Sequence, residues 1–305
     1  MVYLGAHESI SGGIYKAVET AKAVGCDCLQ LFTKNSNQWN AKDLKPSEIA
    51  QFQESLERLG ISHPLSHDSF LINLASPDDV LWNRSIAAFE VEMLRADQLG
   101  IPYVVMHPGS YTTSSEQAGL DRIAEGLNLV LKHTAGIQTR CLLETMAGQG
   151  SNLGGKFEHL AAIIEGVEGS GWHEKTDTTG EFTLGICFDT CHVFASGVDF
   201  STPEQFEAMK QDFDRVLGLK RLKAIHLNDS KHPCGSRKDR HEHIGLGMLG
   251  LEPFRLLLND PQMSGIPMYL ETNKGVRVAE DGTEEDWDSV NLKVLRSLVD
   301  SEVTA

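Results

Sequence analysis

Residues 78–107 have the sequence DDVLWNRSIAAFEVEMLRADQLGIPYVVMH, in which a helical pattern is followed by a strand pattern. Apolar side chains recur at helical spacing in the first part, namely Val80, Leu81, Ile86, Phe89, Met93 and Leu94. Gly100 stands where the C-terminal cap of such a helix belongs. The segment 103–107 is apolar and contains β-branched residues, which predicts a strand. A helix followed directly by a strand is the repeating unit of folds with a parallel sheet.

The same alternation runs through the chain and predicts eight βα units. Strands are predicted at 2–6, 28–33, 63–67, 103–107, 141–145, 184–189, 222–227 and 268–272, with helices between them. The absence of a break in composition predicts an α/β fold with a single domain over 1–305, a (β/α)8 TIM barrel. An open doubly wound sheet gives a similar local pattern and is the alternative. Two irregular connections interrupt the alternation, 169–181 and 273–288, and only the second follows a strand, on the face where barrel enzymes carry their active sites.

The composition is that of a soluble globular protein. Of the 305 residues, 41% are hydrophobic and 23% are charged. No uncharged apolar run reaches the roughly 18 residues of a membrane span, and no signal segment is evident, so we expect a cytoplasmic protein with no membrane partner. The six cysteines show no C-x-x-C spacing, which favours free buried thiols over a zinc ribbon or a redox pair.

The net charge of −16 argues against a surface that binds nucleic acid, because such surfaces normally carry excess positive charge. Bound divalent cations weaken this objection, since each adds about two positive charges where phosphate would bind. Three such ions would change −16 to about −10, with the change concentrated at one place.

Metal-capable side chains cluster at the C-terminal ends of the predicted strands. In order from the third strand to the eighth, they are His67, His107, Glu144, Asp189, His226 and Glu271. The strand ends of a barrel converge on one pocket, so residues far apart in the chain can share ions. A single His or carboxylate at a strand end is as often a structural residue or a helix cap as a ligand. Six of them on six successive strands predict a metal site.

Three further residues extend this set. His192 follows Asp189 by three positions, and Asp239 and His241 lie in the loop after the seventh strand. This mixture of imidazoles and carboxylates suits zinc, with manganese as a competitor. A catalytic zinc ion takes about three protein ligands, and one carboxylate can bridge two ions, so nine residues would serve three ions.

The segments around these residues form an ordered series of motifs. They are His67-Asp68-Ser69-Phe70-Leu71-Ile72-Asn73-Leu74, His107-Pro108-Gly109-Ser110, Glu144 followed by Gly148-Gln149-Gly150-Ser151-Asn152-Leu153-Gly154, Asp189-Thr190-Cys191-His192, His226-Leu227-Asn228-Asp229-Ser230, Asp239-Arg240-His241 and Leu270-Glu271-Thr272. In order and spacing, from Gly5-Ala6-His7 to Glu271, the series resembles the endonuclease IV family.

The resemblance implies a trinuclear zinc site on a barrel. His67, His107 and Glu144 would hold the first ion. Glu144 would bridge to a second ion held by Asp189, His226 and Glu271. His192, Asp239 and His241 would hold the third.

The resemblance also implies a function and a partner. The protein would be an apurinic/apyrimidinic endonuclease of base excision repair, with double-stranded DNA containing abasic sites as its partner. It would hydrolyse the phosphodiester bond 5' to the abasic site and leave a 3'-hydroxyl and a 5'-deoxyribose phosphate. Glu144 and Glu271 are the expected catalytic residues, with Glu271 orienting or deprotonating the attacking water. We expect a monomer.

Two positions depart from the family pattern in segments that would contact DNA. Asn37 stands where an Arg that enters the base stack is expected, and Phe70 replaces an expected Tyr. Phe70 and Leu71 can fill the gap left by a displaced nucleotide, although Phe70 can equally pack on the barrel rim. Other candidates for phosphate contacts lie on loops of the functional face and can equally be solvated loop residues. They are Lys34, Asn35, Gln38, Trp39, Asn152, Arg237, Lys238 and Arg240.

The main rival function is a sugar isomerase or epimerase on a related barrel. It explains Glu144, Asp189, His226 and Glu271 as ligands of one or two ions. It leaves His67, His107 and the loop 239–241 without a role. A protein in which zinc is purely structural is a weaker rival, because structural zinc is usually closed by four protein ligands.

Overall fold

A computed structural model describes residues 1–170, 182–279 and 281–300. Within these ranges, eight parallel strands form a closed barrel in the order β1-β10-β7-β6-β5-β4-β3-β2. The barrel strands are β1 (Tyr3–Glu8), β2 (Cys28–Phe32), β3 (Ser62–His67), β4 (Tyr103–Met106), β5 (Arg140–Glu144), β6 (Leu184–Asp189), β7 (Leu222–His226) and β10 (Pro267–Leu270). Both the predicted TIM barrel and its eight strands are confirmed, with bounds that differ from the predicted ones by two residues or fewer.

Helices follow the barrel strands and form the outer layer. In the described residues they are α1 (Ile14–Val24), α2 (Pro46–Leu59), α3 (Asp79–Leu99), α4 (Glu116–His133), α5 (Phe157–Glu168), α6 (Thr190–Ser196), α7 (Pro203–Val216), α8 (Glu252–Asn259) and α9 (Trp287–Ser297). Two short antiparallel pairs lie outside the barrel, β8 (Asp229–Ser230) with β9 (His241–Glu242) and β11 (Val276–Val278) with β12 (Glu284–Asp286). No helix in the described part of the chain has the length and apolar character that a membrane span requires.

Side chains from seven strands fill the barrel interior. They are Cys28, Leu65, Val105, Leu142, Cys187, Ala224 and Tyr269, each nearly or fully buried. The remaining barrel strand, β1, contributes Gly5, where an added Cβ would lie only 2.1 Å from the Cys28 carbonyl oxygen. The interior is therefore a packed core, and the open space of the barrel lies at its ends.

Helix α3 confirms the helix that the spacing predicts, although not all of its apolar residues face the core. Asp78 caps its N-terminus by accepting from Val80 N at 2.8 Å, and Gly100 ends it with φ 74°. Val80 and Leu94 are nevertheless 80% and 42% exposed. The buried face is centred on Phe89, and Val80 lies nine residues away, about 180° around the helix.

The two irregular connections have different outcomes. Residues 171–181 of the predicted connection 169–181 lie outside the described residues. The connection 273–288 contains β11 and β12, a hairpin that follows β10 at the C-terminal end of the barrel. The cysteines match the sequence prediction, because all six thiols are free and five of them are buried. The assignment of 1–305 to one domain stays a prediction.

Candidate metal centre

The strand-end residues meet at the C-terminal mouth of the barrel. His67, Glu144, Asp189 and His226 are the last residues of β3, β5, β6 and β7. His107 and Glu271 each follow their strands, β4 and β10, by one residue. Because the strands end at one level, their side chains project into one pocket, as the sequence predicts.

The first group consists of His67, His107 and Glu144, whose ligand atoms lie within 4.8 Å of one another. The Nε2 atoms of His67 and His107 are each 3.1 Å from the same oxygen, Glu144 Oε2. Two ring nitrogens converging on one carboxylate oxygen form an open three-ligand set of the kind that catalytic zinc uses.

The second group lies on the other side of the Glu144 carboxylate. It consists of Glu144, Asp189, His226 and Glu271, again within 4.8 Å of one another. His226 Nδ1 is 3.1 Å from Glu144 Oε1 and 3.2 Å from Glu271 Oε2. One oxygen of Glu144 therefore faces each group, which is the arrangement that a bridging carboxylate requires.

The third group is built from α6 and the loop that leads into β9. The Nε2 atoms of His192 and His241 are each 3.2 Å from Asp239 Oδ1. Their Nδ1 atoms face backbone carbonyls, of Thr145 at 2.9 Å and of Glu271 at 3.2 Å. With Nδ1–H donating to a carbonyl, Nε2 is the nitrogen of each ring that is left to face Asp239 and to bind a metal ion, the orientation usual for metal-binding histidines.

Zinc fits this third group on the evidence of the residues themselves. The Nε2 atoms of His192 and His241 are buried and have no hydrogen-bond partner. Buried polar atoms are nearly always satisfied, so two unsatisfied nitrogens beside one carboxylate are what a cation site presents. Two imidazoles and one carboxylate are a common zinc ligand set.

The titratable groups at the mouth shift one another's pKa values. Burial would raise the pKa of Glu144, but His226 and His107 hold that pKa well below its usual range. Burial would likewise lower the pKa of His192, but Asp189 and Asp239 hold it well above its usual range. The buried carboxylates thus need compensating positive charge, which protons on the imidazoles or divalent cations can supply.

The structure also places residues at the site that the sequence analysis did not single out. His7, Phe32, Thr272 and Lys274 line a cavity of about 280 Å³ together with six of the predicted metal ligands. Gln30 is fully buried and contacts both His226 and Glu271. A polar residue inside the otherwise apolar strand β2 was the signal that could have revealed Gln30.

Cys191 is a further neighbour of the metal ligands. Its Sγ lies within 4.8 Å of ligand atoms of Asp189 and His241. Burial raises the pKa of the thiol to about 12, and the Sγ donates to the Arg240 carbonyl at 3.7 Å. Because its Sγ already donates to a backbone carbonyl and Asp189 and His241 belong to the other ligand groups, we assign Cys191 to the packing around the site.

The candidate DNA contacts lie around the mouth with different degrees of exposure. Phe70 is 64% exposed and lines the cavity, with its ring centroid 5.3 Å from that of Phe32. Leu71 beside it is half-buried. The remaining candidates divide into exposed residues, Asn35, Asn37, Gln38, Arg237, Lys238 and Arg240, and half-buried ones, Trp39 and Asn152.

Lys34 requires a correction. The residue is only 6% exposed, and its Nζ lies 3.0 Å from Glu92 Oε1 and donates to the Gln38 carbonyl at 2.7 Å. An ammonium group committed to these partners is not free to contact a phosphate. Lys34 instead holds the loop between β2 and α2 against α3.

Comparisons with known proteins agree with this geometry. A family model described as "Xylose isomerase-like TIM barrel" matches residues 18–297. The "Probable endonuclease 4" of Chloroflexus aurantiacus is 47% identical over 299 residues, which are 98% of this chain and 99% of that protein. The "Probable endonuclease 4" of Geobacter sp. is 45% identical over 300 residues, 98% of this chain and 100% of that protein.

A solved structure extends the likeness to three dimensions. The crystal structure of endonuclease IV from Thermus thermophilus superposes with a TM-score of 0.79 at 31% identity. The match covers 97% of this chain and 98% of that one. The resemblance drawn from the motifs is thereby confirmed, and the chain belongs to the endonuclease IV family of nucleases, which are built on the xylose isomerase-like TIM barrel.

Proposed function

We propose that this nuclease is an apurinic/apyrimidinic endonuclease of base excision repair that uses three zinc ions. It hydrolyses the DNA phosphodiester bond 5' to an abasic site and leaves a 3'-hydroxyl and a 5'-deoxyribose phosphate. The observation that carries the proposal is the set of three ligand groups around one cavity, with Glu144 between two of them.

The residues would hold the ions as follows. His67, His107 and Glu144 bind one ion, Glu144, Asp189, His226 and Glu271 bind a second, and His192, Asp239 and His241 bind the third. Bound zinc supplies Lewis acidity, which lowers the pKa of water towards about 7 and neutralises charge on a phosphate. Manganese at one or more positions would supply similar chemistry.

Glu271 is placed to act on the attacking water. Its carboxylate lines the cavity, and although burial would raise its pKa, the neighbouring His226 holds that pKa below the usual range. A carboxylate that stays ionised can accept a hydrogen bond from water and orient it towards the phosphate. Glu144, between the first two groups, fixes their separation.

The rim of the cavity suits a substrate that has lost a base. A sugar without a base loses little stacking energy when it leaves the helix, so damage can be recognised through the ease of extrusion. Phe70 stands exposed beside the cavity and can stack in the gap that the extruded sugar leaves. Asn37 and Arg240 are exposed on neighbouring loops and can contact phosphates.

The sugar-isomerase alternative accounts for the second ligand group alone. It gives no reason for the two imidazoles on Glu144 Oε2 or for the unsatisfied nitrogens of His192 and His241. Three groups arranged around one cavity favour a phosphate substrate, whose oxygens can be bound by several cations together. A monomeric state, a cytoplasmic location and a single domain stay predictions.

A cleavage assay with two substrates tests the proposal. A duplex with one natural abasic site and a duplex with a tetrahydrofuran analogue should both be cut, because hydrolysis does not need the sugar aldehyde. The product should be extended directly by a polymerase, and chelation should abolish cutting. A lyase forms a Schiff base with that aldehyde. An uncut analogue, together with a borohydride-trapped adduct on the natural site, would therefore overturn the hydrolytic mechanism.

A further inference from the structure

Gln30 is a fully buried amide whose polar atoms all contact titratable side chains at the metal centre. Its Oε1 lies 2.7 Å from His226 Nε2. Its Nε2 lies 2.5 Å from Glu271 Oε1 and 2.9 Å from His7 Nδ1. The side chain reaches these three residues from β2, whose neighbours β1 and β3 do not include the strands that carry His226 and Glu271.

The chemistry of the neighbours determines the orientation of the amide. An ionised carboxylate only accepts hydrogen bonds, so the Gln30 NH2 group must face Glu271. The amide oxygen then faces His226, whose Nε2 must carry a proton in order to donate to it. The second amide proton is directed to His7 Nδ1, so every hydrogen-bonding group of Gln30 is used except the second lone pair of its oxygen.

This orientation determines the state of His226. With the proton on Nε2, the neutral ring has its lone pair on Nδ1. That atom faces Glu144 Oε1 at 3.1 Å and Glu271 Oε2 at 3.2 Å. The ring is thus in the tautomer that a metal ligand needs, and the lone pair points into the second ligand group.

His226 differs in this respect from three other candidate ligands. His67, His192 and His241 place Nδ1 next to backbone carbonyls, of Asp68 at 3.0 Å, Thr145 at 2.9 Å and Glu271 at 3.2 Å. A substitution cannot remove a backbone carbonyl. The partner of His226 is a side chain, so its contribution can be measured by mutation.

We propose that Gln30 is a positioning residue, which holds His226 and Glu271 in the orientation that binds the second zinc ion. The inference rests on the proposed function and adds to it a residue outside the nine ligands. Outer partners of metal ligands typically contribute about 10- to 100-fold to metal affinity or activity.

The first test is Gln30→Leu, which nearly preserves side-chain volume and removes all three hydrogen bonds. One of three zinc ions should be lost about 10- to 100-fold more readily to a competing chelator, and kcat should fall by a similar factor. Gln53→Leu is the matched control, because Gln53 is an amide that donates to the Leu99 carbonyl in the helix layer, away from the site. The control should keep both zinc affinity and kcat.

The second test is Gln30→Glu, which keeps an oxygen for His226 and, when ionised, has no proton to donate to Glu271. It should hold three zinc ions at least as tightly as the unmodified protein, while kcat falls about 10-fold and KM for abasic duplex stays unchanged. A role confined to packing would not separate zinc affinity from kcat in this way.

The results of the two Gln30 tests can be distinguished from a failure of the proposed function. If the unmodified protein does not cut abasic duplex, the proposed function fails, and zinc competition still tests Gln30. A folded Gln30→Leu variant with unaltered zinc affinity would overturn the inference. If Gln30→Leu does not fold by circular dichroism, Gln30→Glu decides, because unaltered zinc affinity together with unaltered kcat would overturn it as well.

Discussion

His241 illustrates how one side chain contributes to the metal centre without being part of the barrel core. It lies on β9, outside the closed sheet, and its buried Nε2 meets Asp239 and His192. Loops of this kind tolerate substitution better than barrel strands, because few core contacts depend on them. Its role in metal binding can therefore be tested without unfolding the protein.

His241→Ala or Asp239→Ala should lower the zinc content from about three to about two ions per chain. Nuclease activity should fall by at least about 10-fold, the smaller loss typical of residues that only orient a ligand. Elemental analysis and a cleavage assay measure the two effects, with circular dichroism to verify the fold. His133→Ala, at an exposed His paired with Glu90 on the helix layer, is the control. Three retained zinc ions in either site variant would eliminate the third group as a metal site.

At the level of single residues, the sequence was informative where chemistry alone identifies a candidate. His and carboxylate residues at successive strand ends stand out by type and position, and the structure brings all nine together. The partners of Lys34 and Gln30 could not be predicted, and for Gln30 the only sequence signal was a polar residue inside the apolar strand β2. Lys34 is neutralised by Glu92, and Gln30 contacts Glu271, partners that only the tertiary structure brings near.

Among the elements, α3 does more than cover the barrel. Glu92 pairs with Lys34 and accepts from Thr33 Oγ1 at 3.0 Å, while Arg95 donates to the Thr33 and Lys42 carbonyls at 2.6 Å each. The Arg84 guanidinium lies over Trp39, farther along the same loop, with its Cζ atom 4.3 Å from the centroid of the Trp39 ring. The helix therefore fixes the loop between β2 and α2 that carries Asn35, Asn37 and Gln38.

Glu92→Ala should lower the free energy of unfolding by about 3 to 5 kcal/mol, because it leaves the buried Lys34 ammonium without its counter-charge. Denaturant unfolding measures the change. Glu90→Ala on the same helix is the control, since its partner His133 is largely exposed and such pairs contribute about 1 kcal/mol or less. Equal losses of unfolding free energy in the two variants would show that the buried Lys34–Glu92 pair contributes no more to stability than an exposed pair does.

The exposed end of that loop can be tested through charge. Asn37→Arg should tighten binding to abasic duplex and steepen the dependence of log K on log salt by about 0.9, the value for one additional phosphate contact. Binding should be measured across a salt series. Gln51→Arg on the outer face of α2 adds the same charge away from the mouth and should not alter the slope. An unaltered slope for Asn37→Arg would show that the loop does not meet the duplex.

The positions of the barrel strands and of α3 were predictable from the sequence, whereas the exposed hairpin β11–β12 was not. Short apolar runs rich in β-branched residues located the eight barrel strands to within two residues, and the helical spacing of apolar residues located α3. The hairpin β11–β12 was missed because Val276 and Val278 are exposed, so its strands show no buried face from which a period could be read. The helical spacing that located α3 does not by itself identify its buried side chains, because an apolar residue does not have to face the core.

For the whole molecule, closure of the barrel is the property that local sequence patterns could not decide. An open doubly wound sheet and a barrel share the same βα repeat, and they differ in strand order and in whether the first and last barrel strands pair. Tyr3 of β1 pairs with Pro267 of β10, while Gly5 of the same strand pairs with Cys28 of β2. Closure brings Glu271 next to His7 and Gln30, and so completes the metal centre.

The net charge bears on how such a molecule can bind DNA at all. The chain carries −16, and four carboxylates converge at the mouth where a phosphate would bind. Without divalent cations, only protons on the imidazoles offset these carboxylates, so the mouth would offer the DNA backbone less positive charge at the point where contact is required. The ions are thus expected to be needed for binding as well as for hydrolysis.

Removal of the metal should therefore raise the Kd for abasic duplex by at least about 10-fold, about 1.4 kcal/mol, in addition to abolishing cleavage. The reason is that each lost ion removes about two positive charges from the part of this acidic surface where the scissile phosphate would bind. Fluorescence anisotropy with a labelled duplex can measure the Kd of the chelated protein, and addition of zinc should restore it. A metal-free protein that is still folded and binds as tightly as the loaded one would show that affinity comes from the loops, and that the ions serve hydrolysis alone.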